Sequence, residues 1–250
     1  MLTNGHCAEG EWAEPGTALV DRPADREVPI ADRQGYPQAT ARAKRLVYAT
    51  MTGTDIALHR LDKSYARLRA EGAKVFRLTT SPVRAGDSLT MAYTSLRLNC
   101  AAEAVVPHLR EGRYQQDDSI HYATGEECAP WPGTSGSALP APDGETVVGI
   151  HHTHNTAGEQ CTDNNPGEVD QAGQVTSVQG RGYGQQVHMI AACLTKGSAA
   201  GPVRPGLRPH RRPPGHRPLT PSTPRACVPG RSRGKGLPGG ALPCPRVMSW

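Results

Sequence analysis

Phenylalanine is nearly missing from these 250 residues: Phe76 is the only one, and Phe, Trp and Tyr together make up 4% of the chain. A compact protein usually carries more, whereas the 23 Pro and 28 Gly exceed the ordinary share. No apolar run approaches the length needed to cross a bilayer, which argues against a membrane-spanning helix. No export signal is visible at the start of the chain. Among the seven cysteines (7, 100, 128, 161, 193, 227 and 244) there is no C-x-x-C pair. That pattern disfavours a zinc ribbon and favours disulfides formed in an oxidising compartment. Spacing suggests Cys100–Cys128 and Cys161–Cys193, although spacing alone does not fix connectivity, and Cys7 has no evident partner in the first ninety residues.

Acidic residues are absent from one region altogether. Residues 197–250 hold nine Arg and Lys235 but no Asp or Glu, a charge of +10, so the net +5 leaves −5 for residues 1–196. Twelve prolines fall in the same stretch. Such a segment cannot bury a core, and the expectation is a disordered, partly polyproline tail. Two readings of it stand: an electrostatic tether to nucleic acid or an acidic surface, or a non-native terminus produced by a frame shift. Its only aromatic residue is Trp250, so base stacking has little to work with.

Against these absences, Pro132–Leu139 reads P-G-T-S-G-S-A-L. Ser135 between Gly133 and Gly136 can sit on a sharp turn, with the N–H groups of Gly133 and Ser135 aimed at one oxygen. A serine hydroxyl becomes a nucleophile only when a base takes its proton. The nucleophile elbow of α/β-hydrolases is excluded, because the second residue after the serine is Ser137 and not Gly. Upstream stand T-N-G-H-C (Thr3–Cys7) and T-D-I-A-L-H-R-L (Thr54–Leu61). His6 is the candidate base, and Asp55, leading an otherwise apolar run, would need a partner if buried. The histidines at 151, 152 and 154 form a third cluster. His152 and His154 share a strand face but lack a third ligand at a convincing spacing, so no metal site is assigned.

The three motifs together, in the order His, Asp, Ser, resemble those of the trypsin-like serine proteases. The resemblance runs from about Thr3 to Leu194. It implies an all-β fold, a double antiparallel β-barrel of chymotrypsin type, with no cofactor. It also implies a triad of His6, Asp55 and Ser135, and an oxyanion hole from the amides of Gly133 and Ser135. Thr134 stands where trypsin has an aspartate that pairs with a newly freed N-terminus, so activation by that switch is not expected. The strand G-I-H-H (Gly149–His152) is similar to that of glutamyl endopeptidases. On that likeness His151 and His152 line the substrate pocket and favour cleavage after acidic residues; a polar pocket wall without that selectivity is the other reading. Relative to the family, the first strands of the N-terminal barrel and any export segment are missing, which suggests that Met1 is not the true beginning. The family is secreted, and the same location is expected here.

Pattern reading places the rest. Residues 8–43, with Pro15, Pro23, Pro29 and Pro37, read as loops with one short strand near Ala18–Val20. Strands are expected at Lys44–Met51, Asp55–Leu61, Lys74–Leu78, Leu89–Thr94, Ala104–Leu109 and Thr146–His152, with a helical turn at Tyr65–Ala70. Asn164–Gly173 reads as a polar loop, and Gln185–Cys193 as a strand or a short helix. Thr79–Asp87 has turn composition. The expected division is therefore 1–80 (incomplete first barrel with His and Asp), 81–87 (linker), 88–196 (second barrel with Ser) and 197–250 (tail). The functional expectation is a monomeric serine endopeptidase acting on protein or peptide. Two alternatives remain: an inactive protease-like binding module, or a surface or nucleic-acid binder acting through the tail.

Overall fold

The computed structural model describes residues 1–122, 125 and 127–194; the expected tail of 197–250 lies outside them. Among the described residues the chain is built almost wholly of antiparallel strands in two sheets. The first contains β1 (Leu2–Thr3), β2 (Leu19–Ala31), β3 (Pro37–Thr50) and β4 (Ile56–Leu61) in the order β1-β4-β3-β2. Helix α1 (Tyr65–Ala70) follows, where a helical turn was expected. It is capped by Ser64, whose side chain accepts from the Arg67 N–H.

The long β2 replaces the loops expected over residues 8–43, and the correction has a physical reason. β2 is an edge strand, where a proline's missing N–H breaks no ladder, so Pro23 and Pro29 are tolerated there. Asp21 takes a left-handed φ of 56°, and the register slips between Pro23 and Arg26. Val28, Ile30, Ala41 and Ala43 of this hairpin pack on Leu68 of α1, forming a small core under the first sheet.

The second sheet is larger. Its strands are β5 (Arg77–Leu78), β6 (Ser88–Tyr93), β7 (Leu96–Glu111), β8 (Tyr114–Tyr122), β9 (Ala138–Pro140), β10 (Thr146–His154), β11 (Gly167–Val169), β12 (Val175–Thr176) and β13 (Gly182–Gln186). The neighbour order β7-β6-β9-β10-β13-β8, with β8 pairing back to β7, closes six strands into a barrel. Leu89, Met91, Ile120, Tyr122 and Leu139 fill it. Closure removes the free edges that an open sheet would expose. The architecture is thus a closed barrel beside a smaller four-stranded sheet, the double-barrel class. Helix α2 (His188–Cys193) settles the ambiguous segment after Gln185 in favour of strand, then helix.

One expected bridge, Cys100–Cys128, is present with its Cα atoms 5.2 Å apart; it ties β7 to the segment leading into the serine loop. Cys7 and Cys161 are also disulfide-bonded. The side chain of Cys193, the expected partner of Cys161, lies outside the described residues. The 81–87 segment, expected as a linker, is anchored to the barrel: Val83 is buried, and its N–H donates to Gln186 Oε1 at 2.8 Å.

The two sheets meet across a mixed apolar and polar seam. Ile56 at the head of β4 is fully buried against Ala138, Val147, Ile150, Val187 and Ile190 of the second half. Burying one such side chain contributes about 2 kcal/mol. Beside it, Gly53 N–H donates to Gln115 O at 2.8 Å and Asp117 N–H to Gly53 O at 2.9 Å. Gln116 Nε2 donates to Met51 O at 2.9 Å, and Thr54 Oγ1 to Gln185 Oε1 at 3.1 Å. These contacts fix the turn before β4, and with it Asp55, against the barrel.

Candidate active site

His6 sits in a single 3-10 turn, Gly5–Cys7, which follows β1. β1 pairs with β4 (Leu2 opposite Leu58, Thr3 opposite Ala57), so the turn is delivered to the head of β4, where Asp55 lies. Asp55 is fully buried. Its Oδ1 accepts the His6 backbone N–H at 2.9 Å, and its Oδ2 accepts from His6 Nδ1. Asn4 completes the grip, its Nδ2 donating to the Asp55 carbonyl at 3.0 Å. In the neutral ring, with Nδ1–H given to the carboxylate, His6 Nε2 keeps its lone pair.

Burial alone would lower the His6 pKa, but the Asp55 charge and hydrogen bond, helped by the Glu111 charge, outweigh it and the net shift is upward. Burial would likewise raise the Asp55 carboxyl, and the His6 charge and hydrogen bonds, with His152, hold it below its ordinary value. The ion-paired form is therefore favoured on both sides. The Asp55 share of stability is present above its unfolded pKa and is lost as pH falls through its lowered folded value. The His6 share is present below its unfolded pKa and is lost as pH rises through its raised folded value.

Ser135 stands between two consecutive turns. Thr134 N–H donates to Trp131 O at 3.1 Å around Pro132–Gly133, and Ser137 N–H to Thr134 O at 3.1 Å around Ser135–Gly136. Gly133 (φ 100°) and Gly136 (φ 84°) supply the left-handed positions that this double turn demands. A Cβ on Gly136 would also lie 2.6 Å from Thr3 Oγ1, so glycine there lets the serine loop approach the histidine loop. β10 clamps the second turn, with Gly136 N–H to His151 O at 2.9 Å and His151 N–H to Ser137 O at 2.7 Å. The N–H groups of Gly133 and Ser135 have no acceptor among the described residues. Ser135 Oγ itself donates to His152 O at 3.1 Å and makes no hydrogen bond to His6 here.

His6, Gly133, Ser135, His152 and His154 line one cleft of about 630 Å³, walled by Trp12 and Trp131. His6 and Asp55 are in contact, and Ser135 opens on the same space. His151 is elsewhere: it is buried behind the wall, hydrogen-bonded through Nδ1 to Tyr122 OH, and its pKa is pushed far down by burial. His152 does reach the cleft, and its neighbour but one, His154, shares the wall. Burial lowers His152 to about 4 and lowers His154 too, so both are neutral at ordinary pH.

Sequence reasoning missed Glu111, at the end of β7. Its Oε1 accepts the Asn164 N–H at 2.8 Å, and its Oε2 lies 3.7 Å from His152 Nε2. Burial pushes its carboxyl up to about 7, against the opposing pull of Thr153, Asn164 and His6. Gln185 was missed as well: its Nε2 donates to Ser119 Oγ at 3.1 Å and contacts His152 Nδ1 at 3.4 Å. Neither residue carries a local sequence motif. Glu111 precedes an ordinary G-R turn, and Gln185 sits in an uninformative Q-Q pair. Among the described residues no group of three or more His, Cys, Asp or Glu side chains is arranged to hold a metal ion.

A buried carboxylate–imidazole pair and a serine on a glycine turn thus open on one cleft between the two β-sheets. Residues 1–150 match the trypsin-like peptidase domain. The chain belongs to that family. No curated protein matches it. Among solved structures it is similar to the apo form of the MamO protease domain from Magnetospirillum magneticum. That similarity is at 15% identity and a TM-score of 0.36, covering 71% of this chain and 86% of that one.

Proposed function

We propose that the chain is a serine endopeptidase in which Ser135 attacks the peptide carbonyl, His6 takes and returns the proton, and Asp55 orients the imidazole. The observation that carries this reading is the Asp55–His6 pair, whose free Nε2 shares a cleft with Ser135. To give its proton to His6, Ser135 Oγ would have to leave its present bond to His152 O. The amides of Gly133 and Ser135, without acceptors of their own, would receive the oxyanion, each worth about 10²–10³ in rate at comparable sites. Residues of protein or peptide substrates on either side of the scissile bond would lie against Trp12 and Trp131. The Cys100–Cys128 disulfide fits a protein working in a non-reducing, extracytoplasmic setting.

A serine-directed fluorophosphonate is expected to label the wild-type protein at Ser135, with labelling lost in Ser135→Ala. Equal labelling of the two proteins would overturn the assignment.

Selectivity for acidic side chains rests on cleft imidazoles, and besides the proposed base His6 the described histidines on the cleft wall are His152 and His154. Both are held neutral by burial. At pH 8 the preference for glutamate over glutamine in matched peptides is therefore expected to stay within about threefold, since an uncharged imidazole offers a dipole and not a charge. A preference of a hundredfold would show that a cationic imidazole meets the substrate.

A further inference from the structure

His152 lies between two carboxylates that reach it from different elements. Its Nε2 is 3.7 Å from Asp55 Oδ2, at the head of β4, and 3.7 Å from Glu111 Oε2, at the end of β7. Its other nitrogen, Nδ1, faces Gln185 Nε2 at 3.4 Å. Gln185 is itself oriented, accepting from Thr54 Oγ1 and donating to Ser119 Oγ. An amide NH₂ aimed at Nδ1 requires a lone pair there, so the hydrogen of the neutral ring is on Nε2, directed between Asp55 and Glu111. Glu111 is in turn pinned by the Asn164 N–H at 2.8 Å and by the Thr153 side chain. The His6 ring lies 5.9 Å from that of His152, centre to centre.

Building on the serine-protease reading above, we propose that Glu111 is a second carboxylate of the active site. It is a positioning residue that holds the His152 Nε2–H between itself and Asp55, and its charge stabilises the imidazolium formed on His6 during acyl transfer. The ionisable groups facing it are His6 from the turn after β1, Asp55 from the head of β4, and His152 from β10. His154 and Asp163 lie further along the same cleft. Among the described residues no lysine or arginine lines the cleft to neutralise Glu111. Burial displaces its ionisation upward to about 7, and its charge is one of the causes that raise His6.

Glu111→Gln keeps the shape and the acceptor for Asn164 but removes the charge. Relative to wild type, the variant is expected to lose about 3–10-fold in kcat with KM changed less than about twofold, as for a group that acts on the transition state only. Without the neighbouring negative charge His6 is easier to deprotonate. The acidic limb of kcat/KM therefore moves to lower pH by about half a pH unit, as expected for one charge a few ångströms away in a partly solvated cleft. An unmoved limb overturns the proposal, because a purely structural role would lower activity without displacing it.

Imidazole NMR titration in a Ser135→Ala background reads the same shift on His6 without any turnover. It also reads the His152 tautomer with Glu111 intact, should Glu111→Gln fail to fold. An Nε2–H, uncharged His152 at pH 7 supports the arrangement; an Nδ1–H or charged ring overturns it. Loss of fluorophosphonate labelling would instead strike the serine-protease reading itself, so the two failures are separable.

Discussion

Asp55→Asn is expected to lower kcat by about 10⁴-fold while leaving the fold in place, the size of effect seen when a triad aspartate becomes an amide. The cause can be followed atom by atom. Oδ1 must still accept the His6 backbone N–H, which stands at 2.9 Å, so the new amide turns its NH₂ toward His6 Nδ1. A donor there forces the lone pair onto Nδ1 and the proton onto Nε2, and a protonated Nε2 cannot take the proton of Ser135. Binding is touched much less, because Asp55 is fully buried beneath the imidazole and does not itself line the cleft. Steady-state kinetics beside a thermal melt would separate the two effects. A loss smaller than tenfold would mean that another group orients His6.

Gly5→Ala is expected to be the most damaging small substitution in the histidine loop. A Cβ at this position would lie 2.1 Å from Thr50 O and 2.8 Å from Asp55 Oδ1. The first of these is backbone in the middle of the sheet and cannot swing aside, so the 3-10 turn must move instead. Overpacking of this kind costs about 1–3 kcal/mol in stability. Displacing an imidazole by about 1 Å costs on the order of 10²-fold in rate. The variant should therefore melt at a lower temperature and lose about 100-fold in kcat. Retained activity together with a normal melt would show that the turn can make room for the added methyl group.

How much of this could be read beforehand differs from element to element. The triad candidates were legible because each lies in a short motif whose chemistry is local: a histidine after T-N-G, an aspartate opening an apolar strand, a serine between glycines. The helical turn at Tyr65–Ala70 and the strand at Thr146–His152 were legible from their periodicity, although the strand runs on to His154. The β2–β3 hairpin was not, because Pro23 and Pro29 speak against strand until one knows that β2 is an edge. β8 escaped for another reason. Its run Y-Q-Q-D-D-S-I-H-Y lacks apolar alternation because two inward side chains, Gln116 and Ser119, are buried as hydrogen-bond partners at the seam between the sheets. Asp118 in the same strand takes a left-handed φ of 52°. Glu111 and Gln185 owe their significance to neighbours far away in the chain, and no window along the sequence contains both. His151 shows the converse limit: the strand motif brought it to the right element, but its ring is buried against Tyr122 and it is His152 that reaches the cleft.

Thr134 bears on how the serine loop is held. It is fully buried, and its hydroxyl closes locally on Trp131 O at 2.7 Å within the same turn that frees the Gly133 amide. This short-range bond adds to the clamp that β10 places on Gly136 and Ser137, so the Ser135 loop is fixed from both sides. A loop held at both ends in this way keeps the Ser135 side chain at the cleft without help from any more distant part of the described chain.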